Sequence, residues 1–425
     1  MNILISVLGW FSGLPSYVLV GIVFLILGLA FRAGISTSIR SALLVGGGVL
    51  SITTIAQMLV NFVSPMANQL IEHSGFIKND VLDVGIAPVF SACVSLPFFA
   101  FLYPIGLAVN CILLKLKWTK TINVDFLDLF AILLPFIPVW IYTHNAVLVL
   151  VLSVVYYAFC LKVADWTANY YQEYFELEGV SITHPHDAVP RLICIGLNWV
   201  FDRIPGLNKI DITIGDIQKK LGLFGDPAFL SFAIGTLLGL FAHMDVASAL
   251  GIGVAMATAG FLFPKAVGIV MEGLRPISEK MRTVMQKHFH IEDANIGMDS
   301  AILAGYPEVI SIGAVCLPIV MFCYFLLPAV RVIPSGEALL LVNTVGFVLP
   351  LMGSKGKKGN AFRTILAVVI LIVLTMHGST YMAHIITDFC KSSGIEVAEG
   401  TLVTSSVLGH PLVVFFEMLA KLFVS

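Results

Sequence analysis

Twelve residues near the centre of the chain, Glu176-Leu-Glu-Gly-Val-Ser-Ile-Thr-His-Pro-His-Asp187, bring Glu176, Glu178 and Asp187 together with His184 and His186. Carboxylates and imidazoles are the side chains that accept, donate or carry protons near neutral pH. They crowd here within a chain of which only 12% is charged. A second concentration is the run Ala294 to Glu308, with Asp299 and Glu308 in or near an apolar stretch. Pro307 interrupts the helical ladder beside Glu308 and frees carbonyls that could bind hydroxyls. Asp83, just before Val84-Gly-Ile-Ala-Pro88, occupies the corresponding place in the first half of the chain. Asn343, within "LLLVNTVGF", is either a hydroxyl ligand or one end of an interhelical hydrogen bond.

Each of these residues also has a structural reading. Glu176 and Glu178 suit a loop at a membrane surface, and Asp299 or Asp83 could cap a helix start. His184, past the hinge at Gly179 and just before Pro185, suits the tip of a re-entrant segment facing a substrate. His186 and Asp187 fit either description. Carboxylates, imidazoles and amides in a site poor in charge match neutral hydroxyls, hence a polyol or sugar, better than an anion. No arginine cluster for a phosphate and no G-x-x-x-x-G-K-[ST] loop occur, so ATP hydrolysis by this chain is excluded. A net charge of -2 gives no field for nucleic acid.

The elements that must position these groups are membrane helices. Of 425 residues 58% are hydrophobic, and the mean hydropathy is +0.96. Runs such as Tyr17 to Phe31, Ile86 to Leu114, Val246 to Pro264 and Phe362 to Met376 approach the roughly 20 residues that cross a bilayer. The opening "MNILISVLGWFSGLP" lacks the basic and small-residue features of a cleaved leader. Seven cysteines, most of them in apolar runs and none in a CxxC, suggest neither disulfides nor a metal site. No resident cofactor is implied.

Basic residues cluster at Arg32 and Arg40; at Lys115, Lys117 and Lys120; from Lys162 to Lys220; at Arg275, Lys280, Arg282 and Lys287; and at Lys355, Lys357, Lys358 and Arg363. With all of these cytoplasmic, spans alternate cleanly from an external N-terminus. Five spans fall at about 16–163 and five more at about 227–386. Each set is followed by a broken polar segment, Glu178-Gly-Val-Ser-Ile-Thr183 before His184-Pro185, and Glu399-Gly-Thr-Leu-Val-Thr404 before His410-Pro411. Opposed halves that each end in an interrupted segment are a transporter signature. The expectation is a single all-α polytopic membrane domain of about ten spans and two re-entrant hairpins. Its first repeat is at about 1–200, its second at about 227–425, and a cytoplasmic linker lies at about 201–226. Polar loops are expected over Ser64 to Leu82 and Gly273 to Asn295, with an interfacial amphipathic helix over Leu274 to His290. His144-Asn145 reads as a turn, and His377 and His384 read as helix-packing residues.

The segments "FELEGVSITH", "RIPGLNKIDITIGDIQKKLGLFGDP", "IGMDSAILAGYPEVI", "TINVD" and "GNAFRT" resemble the membrane subunit, enzyme IIC, of the galactitol-type phosphotransferase system. The likeness runs nearly end to end, and a more distant one is to the ascorbate-type IIC proteins. The resemblance implies a homodimer in the bacterial inner membrane, with core and V-motif (scaffold) domains that move as an elevator. It implies that the sugar is phosphorylated on the cytoplasmic side by a phosphocysteine of a separate IIB protein, itself served by IIA. His184 and Asp299 would line the sugar site, with Glu178, His186 and Glu308 nearby. "FLDLFAILLPFIP" reads as nearly bare of hydrogen-bonding groups. Galactitol, another hexitol, a pentitol or a ketose would fit. The alternative is an ion-coupled sugar transporter with Asp299 or Glu308 carrying protons. A membrane enzyme without transport lacks any nucleophile or metal constellation.

Overall fold

The computed structural model describes residues 14–74, 81–84, Val89, 92–93, Leu96, 98–123, 125–216, 227–289, 294–332, 338–354, 357–395, Val397 and 402–424. In chain order the elements are α1 (Ser16–Ala30), α2 (Ile35–Ser74), β1 (Val81–Asp83), α3 (Phe99–Lys115), β2 (Thr121–Ile122), α4 (Phe126–Ala131), α5 (Ile137–Thr143), α6 (Ala146–Phe175), β3 (Val180–Ile182) and α7 (Pro185–Phe201). There follow α8 (Pro227–Phe241), α9 (Val246–Phe289), β4 (Asn295–Met298), α10 (Pro307–Leu326), α11 (Ala338–Val348), β5 (Gly353–Ser354), β6 (Lys357–Lys358), α12 (Ala361–Ser392), β7 (Leu402–Thr404) and α13 (Pro411–Val424). Among the described residues, four helical stretches are long and apolar enough to cross a membrane: Ile35–Ile55, Ala146–Phe175, Pro307–Tyr324 and Ala361–Ser392.

Local chemistry sets the helix ends. Asn145 caps α6 by accepting from the Leu148 amide at 3.0 Å. The helix stops at Glu176, where the backbone turns left-handed (φ 55°). Asn360 caps α12 by accepting from the Arg363 amide at 3.0 Å, and Gly394 follows it at φ 80°. The long α2 and α9 approach closely through small residues. A Cβ on Gly273 would come within 2.8 Å of the Leu44 side chain and 3.0 Å of the Ser41 carbonyl. Such close backbone contact is how helices associate where lipid removes any apolar driving force between them. The Arg40–Glu272 ion pair, at 2.6 Å, joins the same two helices.

Three small strand pairings are set into this helical frame. β3 and β2 both pair in parallel with β4, β1 pairs in parallel with β7, and β5–β6 is an antiparallel hairpin. One buried apolar cluster joins α2 and α9 to α10, α11 and α12. A second joins α3, α5, α6, α12 and α13, with Val403 of β7, while the buried residues of β2, β3 and β4 belong to the first.

Several expectations change. The loop expected over Ser64 to Leu82 is helical to Ser74, since α2 continues through Pro65. The loop and separate interfacial helix expected over 273–295 are instead the far end of α9, which reaches Phe289. Gly273 is kept in the helix by the close α2 contact. The "FLDLFAILLPFIP" stretch is divided by Pro135 and Pro138 into α4, a 3₁₀ turn and α5. His144 forms the left-handed cap of α5, as the turn reading required. Gly85–Pro88, Lys219, Lys220, Lys355 and Glu399-Gly400-Thr401 lie outside the described residues.

Candidate functional site

The strand pairings determine which side chains meet. Ile182 is registered with Met298 in β3–β4, and the Thr183 amide continues the ladder to the Met298 carbonyl at 3.0 Å. Thr183-His184 and Asp299 therefore leave the same parallel pair side by side. A Cβ on Gly297 would fall 2.7 Å from the Thr183 side chain, so the strand approach depends on that glycine. Pro185 then starts α7, where its missing N–H is no loss.

His184 sits between two carboxylates. Its Nδ1 is 3.0 Å from Asp128 Oδ1 and 3.1 Å from Asp299 Oδ2. The His184 and Asp299 side chains keep 21% and 18% of their surface accessible, while Asp128 has none. Asp128 Oδ2 accepts from Thr183 Oγ1 at 2.5 Å and from Asn123 Nδ2 at 3.1 Å. Asn123 is in turn fixed by Asn110, whose Oδ1 accepts from its amide at 3.0 Å. Asp299 Oδ1 accepts from the Ala301 amide at 2.7 Å, capping a 3₁₀ turn at Ser300–Gly305. Asp299 thus caps a helix start, as one reading of it required, while its other oxygen faces the imidazole. The ligating atoms of Asp128, His184 and Asp299 lie within 4.8 Å of one another, a spacing that would also admit a small cation.

Behind this cluster the buried Arg191 ties the tip to α6. Its Nη1 donates to the Ile182 carbonyl at 2.7 Å and to Thr167 Oγ1 at 3.0 Å. Tyr156 donates to the Pro185 carbonyl at 2.6 Å, and Gln172 donates to the Val180 carbonyl at 2.9 Å. These bonds satisfy backbone that a broken segment leaves without a ladder partner.

The second polar tip reaches the same place. The His410 ring lies 4.5 Å from that of His186, whose own ring is 6.3 Å from His184. Asp83 is buried at this second tip and accepts from Ser406 Oγ at 2.6 Å. The structure thus brings together His184, His186 and Asp299, and sets Asp83 with the second tip. Glu178 is exposed in the turn before β3. Glu308 lies in the first turn of α10, beyond Tyr306, whose hydroxyl donates to the Phe175 carbonyl. Asn343 sits within α11, with its Oδ1 buried and unpaired among the described residues. Neither Glu308 nor Asn343 bonds to the His184 cluster.

Sequence reading passed over Asp128, Arg191 and His410 as site residues. Asp128 was hidden by its setting, since "FLDLF" looks like plain core. The signal that could have found it is its cost: a lone carboxylate in an apolar run is expensive at membrane depth, roughly 2.5–3.5 kcal/mol, unless something holds it.

Comparison with known proteins places this arrangement among relatives. The family model EIIC-GAT, described as PTS system sugar-specific permease component, matches residues 11–400. The "PTS system galactitol-specific EIIC component" of Escherichia coli K12 is 27% identical over 384 residues, covering 90% of this chain and 83% of the relative. A "Putative permease IIC component" of the same organism is 27% identical over 394 residues, covering 92% and 89%.

Proposed function

The chain belongs to the galactitol-type family of sugar-specific permease components of the phosphotransferase system, a multi-pass protein of the bacterial inner membrane, and from that premise we propose that it imports a polyol. Galactitol or a similar hexitol or pentitol is carried across by an elevator-type movement and presented to the phosphocysteine of a separate IIB protein. Two halves of opposite orientation, working in a homodimer, provide the frame for that movement. The crossed pairing supports the two-halves reading. The strand before Thr183-His184 pairs with the strand before Asp299, and Thr404 of β7 pairs with Asp83 in the same parallel sense. The close packing of α1, α2, α8 and α9 on one another supports a scaffold built on these helices, with α6, α7, α12 and α13 as the core.

The observation that carries the reading is His184, bound at Nδ1 by two carboxylates and partly accessible. In the neutral imidazole, with its one proton on Nδ1 facing Asp128 and Asp299, Nε2 presents a lone pair. A hydroxyl of the polyol hydrogen-bonded to Nε2 is positioned to lose its proton to the imidazole as it attacks phosphorus. The new O–P bond forms as the S–P bond of the phosphocysteine breaks, and the thiolate leaves with the sulfur electron pair. Asp128, fully buried, holds the ring in the tautomer that makes this possible.

Membrane vesicles loaded with phosphoenolpyruvate and the full relay of phosphoryl-transfer proteins that ends in IIA and IIB should accumulate the polyol phosphate, and His184→Ala should abolish that product. Vesicles that accumulate unmodified sugar without the phosphoryl-donor proteins would instead establish the ion-coupled alternative.

A further inference from the structure

His410 holds a buried hydrogen-bond donor with no partner among the described residues. The residue is 4% exposed, and its Nδ1 accepts from the Leu412 amide at 3.2 Å. An imidazole that accepts at Nδ1 carries its proton on Nε2 when neutral. That Nε2 is buried without a hydrogen-bond partner. Orphaned donors of this kind are rare in folded proteins, because leaving one unmet forfeits its hydration. His186, against which the His410 ring lies at 4.5 Å, likewise forms no hydrogen bond from its ring to the protein among the described residues. The rings of His184, His186 and His410 run from one polar tip to the other. Only the first is engaged by carboxylates.

The Nε2 donor is not explained as glue for the second tip. That tip is fixed elsewhere: Thr404 Oγ1 donates to the Ser379 carbonyl at 2.9 Å, Ser406 to Asp83 at 2.6 Å, and the Val403 amide to Thr387 Oγ1 at 2.8 Å. A Cβ on Gly409 would overlap Ser379, so the tip is wedged against α12 by shape as well. Only the Nδ1 bond to Leu412 engages the imidazole, and it leaves the other nitrogen idle.

We propose that His410 is a substrate-binding residue whose Nε2–H donates to a hydroxyl of the polyol at the end of the site opposite the His184 cluster, with His186 as the wall between them. The proposal rests on the permease reading above. It assigns the two ends of the site opposite tasks: the carboxylate-held His184 accepts a proton from one hydroxyl, and His410 donates a hydrogen bond to the oxygen of another. A neutral donor without a carboxylate partner selects an uncharged hydroxyl without attracting a cation.

The test is equilibrium binding of galactitol, other hexitols and pentitols, and a series of monodeoxygalactitols to the full-length protein in lipid nanodiscs. Wild-type protein, His410→Phe and His410→Gln are compared. His410→Phe should weaken the bound polyol about tenfold, the size of one net hydrogen bond to a buried donor. His410→Gln, which keeps an N–H, should recover part of the loss. One monodeoxy compound should bind His410→Phe as well as the parent polyol does, while binding wild type about tenfold more weakly. Without ligand, His410→Phe should melt no lower than wild type. A lower melting temperature makes the imidazole structural and overturns the proposal. Equal binding by wild type and His410→Phe, with unchanged penalties across the deoxy series, overturns it too. If wild type binds no polyol at all, the permease reading fails first, which is a different result.

Discussion

At His184-Pro185 the chain turns from β3 into α7, and at His410-Pro411 it turns from β7, through residues 405–409, toward α13. Both turns follow a threonine of a short parallel strand pair, and in both an aspartate of the partner strand lies alongside. Their furnishing differs. Around Thr183-His184 the partners are charged: Asp128, Asp299 and the buried Arg191. Around Thr404-His410 the hydrogen bonds run mostly to hydroxyls and backbone, with Asp83 answered by Ser406. One backbone device thus serves two chemistries. The first tip concentrates proton-handling groups, which under the proposed function would activate a hydroxyl. The second offers neutral donors and close shape, which suit holding a hydroxylated chain without reacting with it.

The comparison is broken most severely at Asp128. Asp128→Ala removes one of the two carboxylates that hold His184 and the acceptor of Thr183, and by misaligning the base should lower phosphoenolpyruvate-dependent product formation about a hundredfold, within the roughly 10²–10⁴ that a positioned base contributes. Asp83→Asn keeps an acceptor for Ser406 and should cost no more than about tenfold in the same assay. Similar losses at both positions would mean that the tips share one chemistry. Next is Arg191→Met, which deletes the clamp between the first tip and α6. Hydrogen bonds to a buried charged group contribute about 1.5–3 kcal/mol each, so a melting-temperature drop of several degrees is expected by differential scanning fluorimetry, together with lost uptake.

Gly378→Ala probes the second tip instead. An added Cβ would overlap the Gly409 carbonyl, and overpacking of that kind costs about 1–3 kcal/mol. The melting temperature should fall, and limited proteolysis should cut the 405–409 turn faster than in wild type. The smallest effect is expected for Thr387→Val. It removes the hydroxyl that accepts from the Val403 amide at 2.8 Å and should cost about 1 kcal/mol in chemical unfolding, with binding little changed.

Much of this was legible in the chain. The Glu178-Gly179 segment marks the broken backbone, with Gly179 left-handed at φ 75° and Pro185 following, and His184 and Asp299 stand out as polar groups in apolar surroundings. The cap at Asn145 and the turn at His144 follow the same local rules. Less could be read where a residue's meaning depends on distant partners. Asp128 lies 55 and 56 positions before Thr183 and His184, the residues whose side chains bond to it. Nothing within "FLDLF" indicates that partnership. The loops expected around Ser64 and Gly273 proved helical because contact between α2 and α9 outweighs the local preference for a break at proline or glycine.

The sequence by itself determined that the chain is a multi-pass membrane protein with a broken polar segment ahead of each His-Pro pair. Composition and local backbone chemistry are properties of short windows, and those windows contain everything needed. Only the tertiary structure decided that His184 is shared by two carboxylates, that the two tips meet through His186 and His410, and that one imidazole nitrogen is left unanswered. Those facts depend on strand register and helix contact between segments 56 or more residues apart, distances that no local pattern encodes.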